Sequence, residues 1–198
     1  VVLLHGFLQT RNLWTSLAAR LEDDGHPVLA LHLGSSWWRY NTRPVRHTAQ
    51  RVAHAVHDLV ATHQLAGVHV IGHSMGGLIA RAWVQAYGGD AHVRSITTLG
   101  TPHRGTPTAL VAIGLLGWSR SSWELLPRSS LVRELAARPF PADVPLLSIA
   151  SRHDLVCPWR YSQVDAPHTN LLVAGLGHSE LAWDEGVYGH LRAVLDRA

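Results

Sequence analysis

The chain has no lysine, one cysteine, one methionine and two phenylalanines among its 198 residues. With Cys157 alone, an intramolecular disulfide is excluded, and no paired-cysteine metal motif exists. All 17 basic residues are arginine and lie scattered along the chain, which we read as coding bias. No basic run marks a nucleic-acid footprint. A formal net charge of +3 leaves only a general attraction to acidic or anionic surfaces. No run of about 18 apolar residues is present to span a membrane, and no secretory signal is found. A soluble protein is expected, with cytoplasm and export both open. Val1-Val2-Leu3-Leu4 reads as a strand interior without an initiator methionine, which points to a chain trimmed at its start.

What is present is a globular composition, 46% hydrophobic, of a length that fits one domain over residues 1–198. Apolar, β-branched runs alternate with helical patterns. The strands expected are 1–4, 27–33, 68–71, 95–99, 144–150 and 169–173. The helices expected are 13–22, 48–63, 75–87 and 187–197. Several of the strand runs are continuously apolar, as strands buried on both faces are. The alternation implies an α/β fold, a mostly parallel sheet of about six strands with helices on both faces. In such sheets ligands bind beyond the C-terminal strand ends.

One sequence stands out at such an end. Val68-His69-Val70-Ile71 runs into Gly72-His73-Ser74-Met75-Gly76, and a helical pattern follows. Gly-x-Ser-x-Gly between a strand and a helix projects a serine hydroxyl from a sharp turn, at the positive end of the helix. A serine hydroxyl is a poor nucleophile until a base and an orienting acid join it. Asp154 follows the strand at 144–150 and His178 follows the strand at 169–173, so Ser74, Asp154 and His178 can meet at one sheet edge. His103, also after a strand, is the main rival base. Asp143 and His168 lie at the wrong strand ends, and Asp184 suits a cap of the last helix. A neutral imidazole is needed for base catalysis, so activity is expected to rise as His178 loses its proton.

Acyl transfer also needs oxyanion donors. The backbone N–H of Met75 and that of Phe7, in His5-Gly6-Phe7-Leu8 after the first strand, are expected to supply them. Leu8, His73, Leu125 and Leu126 are expected to contact substrate. Residues 103–142 exceed a simple crossover. Two readings stand: a crossover helix with its loop, or a cap or lid over the serine that offers an apolar acyl site. Trp37 and Trp38, after the second strand, are expected to border the site or pack on a neighbouring loop.

Together these residues resemble the α/β-hydrolase superfamily, and within it the bacterial lipase and esterase group. His5-Gly6-Phe7, Gly72-His73-Ser74-Met75-Gly76-Gly77, Gly100-Thr101-Pro102-His103-Arg104-Gly105-Thr106, Asp154 to Pro158 and Gly175-Leu176-Gly177-His178 carry the likeness. The third segment is the most lipase-like. The resemblance implies hydrolysis of carboxylic esters through a serine acyl-enzyme, without cofactor or metal, on a small-molecule ester or lipid, with contact to a lipid interface. The chain shows fewer strands than the family usually has, beginning at what would be the third. Cys157 stands where a small apolar residue is usual and receives no role. A thioesterase or amidase would use the same three residues. A binding protein that keeps only the fold is the alternative from another class. Metal-dependent hydrolysis finds no His-Glu-x-x-His motif despite 15 histidines. The oligomeric state is left open.

Overall fold

Continuous valine, isoleucine and leucine runs form the strands of the computed structural model, which describes residues 1–34 and 40–196. Trp37 and Trp38 lie outside the described residues. The strands are β1 Val2–Leu4, β2 Leu29–Ala30, β3 Val68–His73, β4 Val93–Leu99, β5 Leu146–Ser151 and β6 Thr169–Val173. They form one sheet in the order β2-β1-β3-β4-β5-β6, every pair parallel. Parallel neighbours need crossovers. Helices α1 Thr15–Asp23, α2 Val45–His63 and α3 Met75–Ala86 serve the first connections, and α4 Ala109–Leu116, α5 Arg120–Glu124 and α6 Ser130–Ala137 join β4 to β5. Helix α7 Glu185–Leu195 closes the described chain.

The sheet is covered on both faces, and its side chains sort by the two-residue strand period. Val2 and Leu4 enter the core shared with α2, α3 and α6, whereas Leu3 enters the one shared with α1 and α7. Val70 and Ile71 divide in the same way. Leu3, Leu4 and Ile71 are fully buried, each contributing about 1.5–3 kcal/mol by leaving water.

Boundaries moved where local chemistry overrode the pattern. The expected strand at 27–33 pairs only through Leu29 and Ala30, because β1 is its one neighbour and is itself short. Helix α2 starts at Val45 rather than at Thr48, since Pro44 (φ −52°, ψ 138°) sets the entry. Thr48 lies inside the first turn, its hydroxyl donating to the Pro44 carbonyl at 3.0 Å. The helix expected from residue 13 opens with the 3-10 turn Arg11–Trp14. Helix α7 starts at Glu185, two residues ahead of expectation, because the Asp184 carboxylate caps it by accepting the Val187 N–H at 2.9 Å.

Residues 103–142 are helical and only partly tied down. Leu125, Leu131 and Leu135 join the core. The Ser119 and Ser121 hydroxyls both donate to the Thr42 carbonyl at 2.9 Å. Glu124 accepts the Val45 N–H at the start of α2, and Arg46 reaches both Glu124 and Glu134. Helix α4 differs. Only Ala109 is buried, while Leu110, Val111 and Leu115 are 62, 68 and 77% exposed. Among the described residues no helix is long and apolar enough to cross a membrane.

The end of β1 is held by a buried histidine. His5 Nδ1 lies 3.2 Å from the Gly6 carbonyl oxygen, and the Leu33 N–H donates to Nε2 at 3.2 Å. Both roles together require the neutral ring, and burial pushes its pKa from 6.5 down to about 4. The unfolded chain therefore binds this proton first as pH falls. The stability His5 contributes is present above 6.5 and is lost as pH drops toward about 4, with a slope of about 1.4 kcal/mol per pH unit. Denaturant titrations across that interval should show stability falling with acid, and His5→Asn should remove about one proton from the dependence. Identical slopes for both proteins would rule out this origin.

Candidate active site

The turn at the end of β3 is built by missing side chains. A Cβ on Gly72 would lie 2.6 Å from the Gly77 Cα, and one on Gly76 would overlap the Leu4 carbonyl. Only hydrogen at these positions lets α3 start directly against β1 and β3. Ser74 sits between them at φ 54°, ψ −126°, a backbone state that costs about 1–3 kcal/mol for a residue with a side chain. Local hydrogen bonds hold it there. The Ser74 N–H donates to the Leu99 carbonyl at 2.8 Å, while the Ser74 carbonyl accepts from the Gly77 N–H at 3.1 Å and the Thr101 hydroxyl at 2.9 Å.

Strands β5 and β6 bring the two partners. Beyond β5, Asp154 is buried, and its Oδ1 accepts the N–H groups of Val156 at 2.9 Å and Cys157 at 2.8 Å. Its Oδ2 lies 2.7 Å from His178 Nδ1, in the loop after β6. A carboxylate only accepts, so the His178 proton sits on Nδ1 and Nε2 is the basic nitrogen. Gly100 (φ 56°) makes room for this pair, since a Cβ there would lie 3.0 Å from both Asp154 Oδ2 and His178 Nδ1. Ser74 and His178 line one cavity of about 120 Å³, together with Phe7, Pro102, Leu125 and Cys157. Among the described residues the Ser74 hydroxyl has no hydrogen-bond partner. A hydroxyl–imidazole contact of this kind is often long without substrate.

The oxyanion elements adjoin this turn. Met75 opens α3, so its N–H has no acceptor within the helix and lies at the positive end. Phe7 follows Gly6, where a Cβ would come within 2.7 Å of the Ser74 Cβ. The Gly6 N–H is held by Gln9 Oε1 at 2.8 Å.

Of the four residues expected at substrate, Leu125 lines the cavity. Leu8 (φ 53°) is exposed, its N–H donating to the Asn41 carbonyl, and lies outside the lining. Leu126 also lies outside it and packs on the core. His73 is fully buried behind the turn. Its Nε2 is 2.9 Å from the His178 carbonyl oxygen and its Nδ1 is 2.9 Å from Gln9 Oε1. Burial, reinforced by the neighbouring His178, pushes its pKa down to about 3. A neutral ring donates once, so it holds one of these oxygens at a time. The rival base His103 is buried elsewhere, with Nε2 3.0 Å from the Thr98 hydroxyl.

Sequence reasoning missed Gln9; Thr106, Thr108, Ala109 and Ala112, which also line the cavity, fall in the 103–142 segment that one reading placed over the serine. The Thr106 and Thr108 hydroxyls both donate to the Val156 carbonyl, tying the start of α4 to the Asp154 loop. The glycine and threonine motif at 100–106 and the length of 103–142 carried the signal for these; nothing local marked Gln9. Burial pushes the Cys157 thiol up to about 12, so it is a protonated wall and not a nucleophile.

Two triacylglycerol lipases, from Pseudarthrobacter phenanthrenivorans and Burkholderia plantarii, are each 34% identical over 115 residues, 55% of this chain. The matched region is 34% of the first lipase and 31% of the second, so the chain spans about a third of those relatives. The mature form of the Bacillus licheniformis lipase BlEst2 superposes with a TM-score of 0.81 at 13% identity, covering 98% of this chain and 90% of that one. A Paleococcus ferrophilus monoacylglycerol lipase gives a TM-score of 0.69 at 14% identity, covering 98% and 91%. The family described as the α/β hydrolase fold matches residues 1–184, and the chain belongs to that family.

Proposed function

We propose that this domain hydrolyses carboxylic esters through a Ser74–His178–Asp154 triad. The observation that carries the reading is the buried Asp154–His178 pair at 2.7 Å, opening on the same cavity as a serine in a strained turn. His178 Nε2 takes the Ser74 proton as Oγ attacks the ester carbonyl carbon. The tetrahedral oxyanion is held by the N–H groups of Phe7 and Met75. The protonated His178 then passes its proton to the leaving alkoxide as the C–O bond breaks and the acyl-enzyme remains. Water, deprotonated by His178, attacks the acyl carbon, and Ser74 leaves with the proton returned from His178. Asp154 fixes the tautomer and stabilises the imidazolium.

The acyl chain lies against Leu125, Ala109, Ala112 and Phe7. Within 103–142 the cover over the cavity is α4, held at its start by Thr106 and Thr108, while α5 and α6 are anchored to Thr42, α2 and the core. Helix α4 roofs the cavity with its small residues and turns Leu110, Val111 and Leu115 outward. With the exposed Leu155 beside the cavity wall, this surface suits contact with a lipid interface. The relatives named as triacylglycerol lipases support an ester or lipid substrate.

Hydrolysis of p-nitrophenyl esters across a range of chain lengths, with Ser74→Ala alongside, tests the chemistry. Ser74→Ala should lower kcat at least about a thousandfold in a folded protein and abolish labelling by a fluorophosphonate, and Asp154→Asn should cost about 10⁴-fold. Activity retained in Ser74→Ala would defeat the reading. Matched oxygen-ester, thioester and amide substrates then rank the acyl bond attacked.

The interface reading has its own test. Val111→Glu with Leu115→Glu should lower the rate on an emulsified long-chain triglyceride several-fold. The rate on a dissolved short-chain ester should stay within about twofold. An equal loss on both substrates would mean that α4 shapes the cavity without meeting lipid.

A further inference from the structure

A second cavity lies apart from Ser74. It has a volume of about 670 Å³ and lies between α3, α6 and the loop at 163–168, sharing no lining residue with the serine cavity. Arg81, Arg104, Arg128, Arg133 and Arg138 line it, against one carboxylate, Asp165. Residues scattered in sequence over α3, the loop after β4 and both ends of α6 are thus brought to one concavity.

Two of its groups are incompletely satisfied. The Arg81 guanidinium is largely buried, and its partners are neutral: Gln85 Oε1 at 2.8 Å and the Leu135 carbonyl at 2.9 Å. Among the described residues no carboxylate pairs with it. Burial lowers its pKa to about 10, so it stays charged at neutral pH. Asp165 acts on it only at a distance, and a buried charge without a directly paired counter-charge is costly. His103, 2% exposed, lines the same wall, and its Nδ1 is buried without a hydrogen-bond partner while Nε2 meets the Thr98 hydroxyl. The single Thr98 hydroxyl hydrogen serves Nε2 or the Leu147 carbonyl at 3.5 Å, and in either case Nδ1 is left unpaired. Asp165 does not fill the need, being engaged by Arg104 at 2.8 Å and almost fully exposed. Gln163 and His168 complete the polar lining, and the other walls are apolar, with Phe140, Leu146 and Val132 among them. A cleft of this size that combines apolar walls with convergent polar groups is the usual form of a small-ligand site.

We propose that this cavity is a second binding site, for a small organic phosphate whose oxygens meet Arg81 with the exposed Arg128 and Arg133 and whose apolar body lies on Phe140 and Leu146. A dianionic head suits the excess of guanidinium groups better than a single carboxylate does. The site is independent of the ester chemistry at Ser74.

Calorimetric titration of the whole chain with phenyl phosphate, benzoate, benzyl alcohol and inorganic phosphate tests this. Phenyl phosphate should bind at one site per chain and more tightly than the other three. Arg81→Met should weaken it about tenfold or more, as expected for losing a charge-assisted contact. Since Arg81 also holds Leu135, a second variant avoids the fold: Arg128→Ala with Arg133→Ala, both exposed, should weaken binding several-fold. No binding of phenyl phosphate, or binding that neither variant changes, would overturn the assignment. Benzoate or benzyl alcohol binding as tightly as phenyl phosphate would overturn the phosphate head, and inorganic phosphate doing so would overturn the apolar contact.

Discussion

The close approach of α3 to β1 and β3 is the constraint on which the rest depends. Gly76 carries no Cβ because the Leu4 carbonyl occupies that space, and Gly72 meets the backbone of Gly77 in the same way. Helix α3 can therefore begin one residue after β3 ends, and Ser74 is forced into φ 54° between them. The strain is offset by hydrogen bonds from Gly77 and Thr101 and to Leu99. A larger residue at either glycine would push α3 off the sheet, separating the serine from the end of the strand and α3 from the loop that bears Phe7.

From that point the parallel sheet does the assembly. Because all six strands run the same way, the loops after β1, β3, β5 and β6 emerge at one edge. Phe7, Ser74, Asp154 and His178 are distant in sequence and neighbours for that reason alone. Asp154 is held from both sides, its Oδ1 by backbone N–H groups and its Oδ2 by His178. Such preorganisation leaves little to be reordered in the proposed reaction, in which charge develops on the imidazole.

The loop at 101–106 separates two environments. Pro102 and Thr106 face the serine cavity, whereas His103 and Arg104 face the arginine-lined one. Thr101 anchors the loop to the Ser74 carbonyl. The helices that follow divide in the same manner: α6 walls the second cavity and is part of the core, and α4 roofs the first while exposing its apolar side chains to solvent.

The placing of the motifs after strands, the turn at Ser74 and the α/β alternation were legible in the sequence alone, because strand and helix periods and glycine sterics are local properties. The sequence also singled out Asp154 and His178, through their positions after strands. It did not determine where helices begin. Thr48 resembled a start, yet Pro44 and the distant Glu124 carboxylate decided the first turn of α2. Nor did it distinguish Leu125, which lines the serine cavity, from Leu126, which packs on the core, since adjacent leucines differ only in the direction that tertiary packing gives them. The arginines read as scattered and structurally mute; the fold gathered five of them around one cavity. That convergence depends on contacts between residues tens of positions apart, which no local pattern encodes.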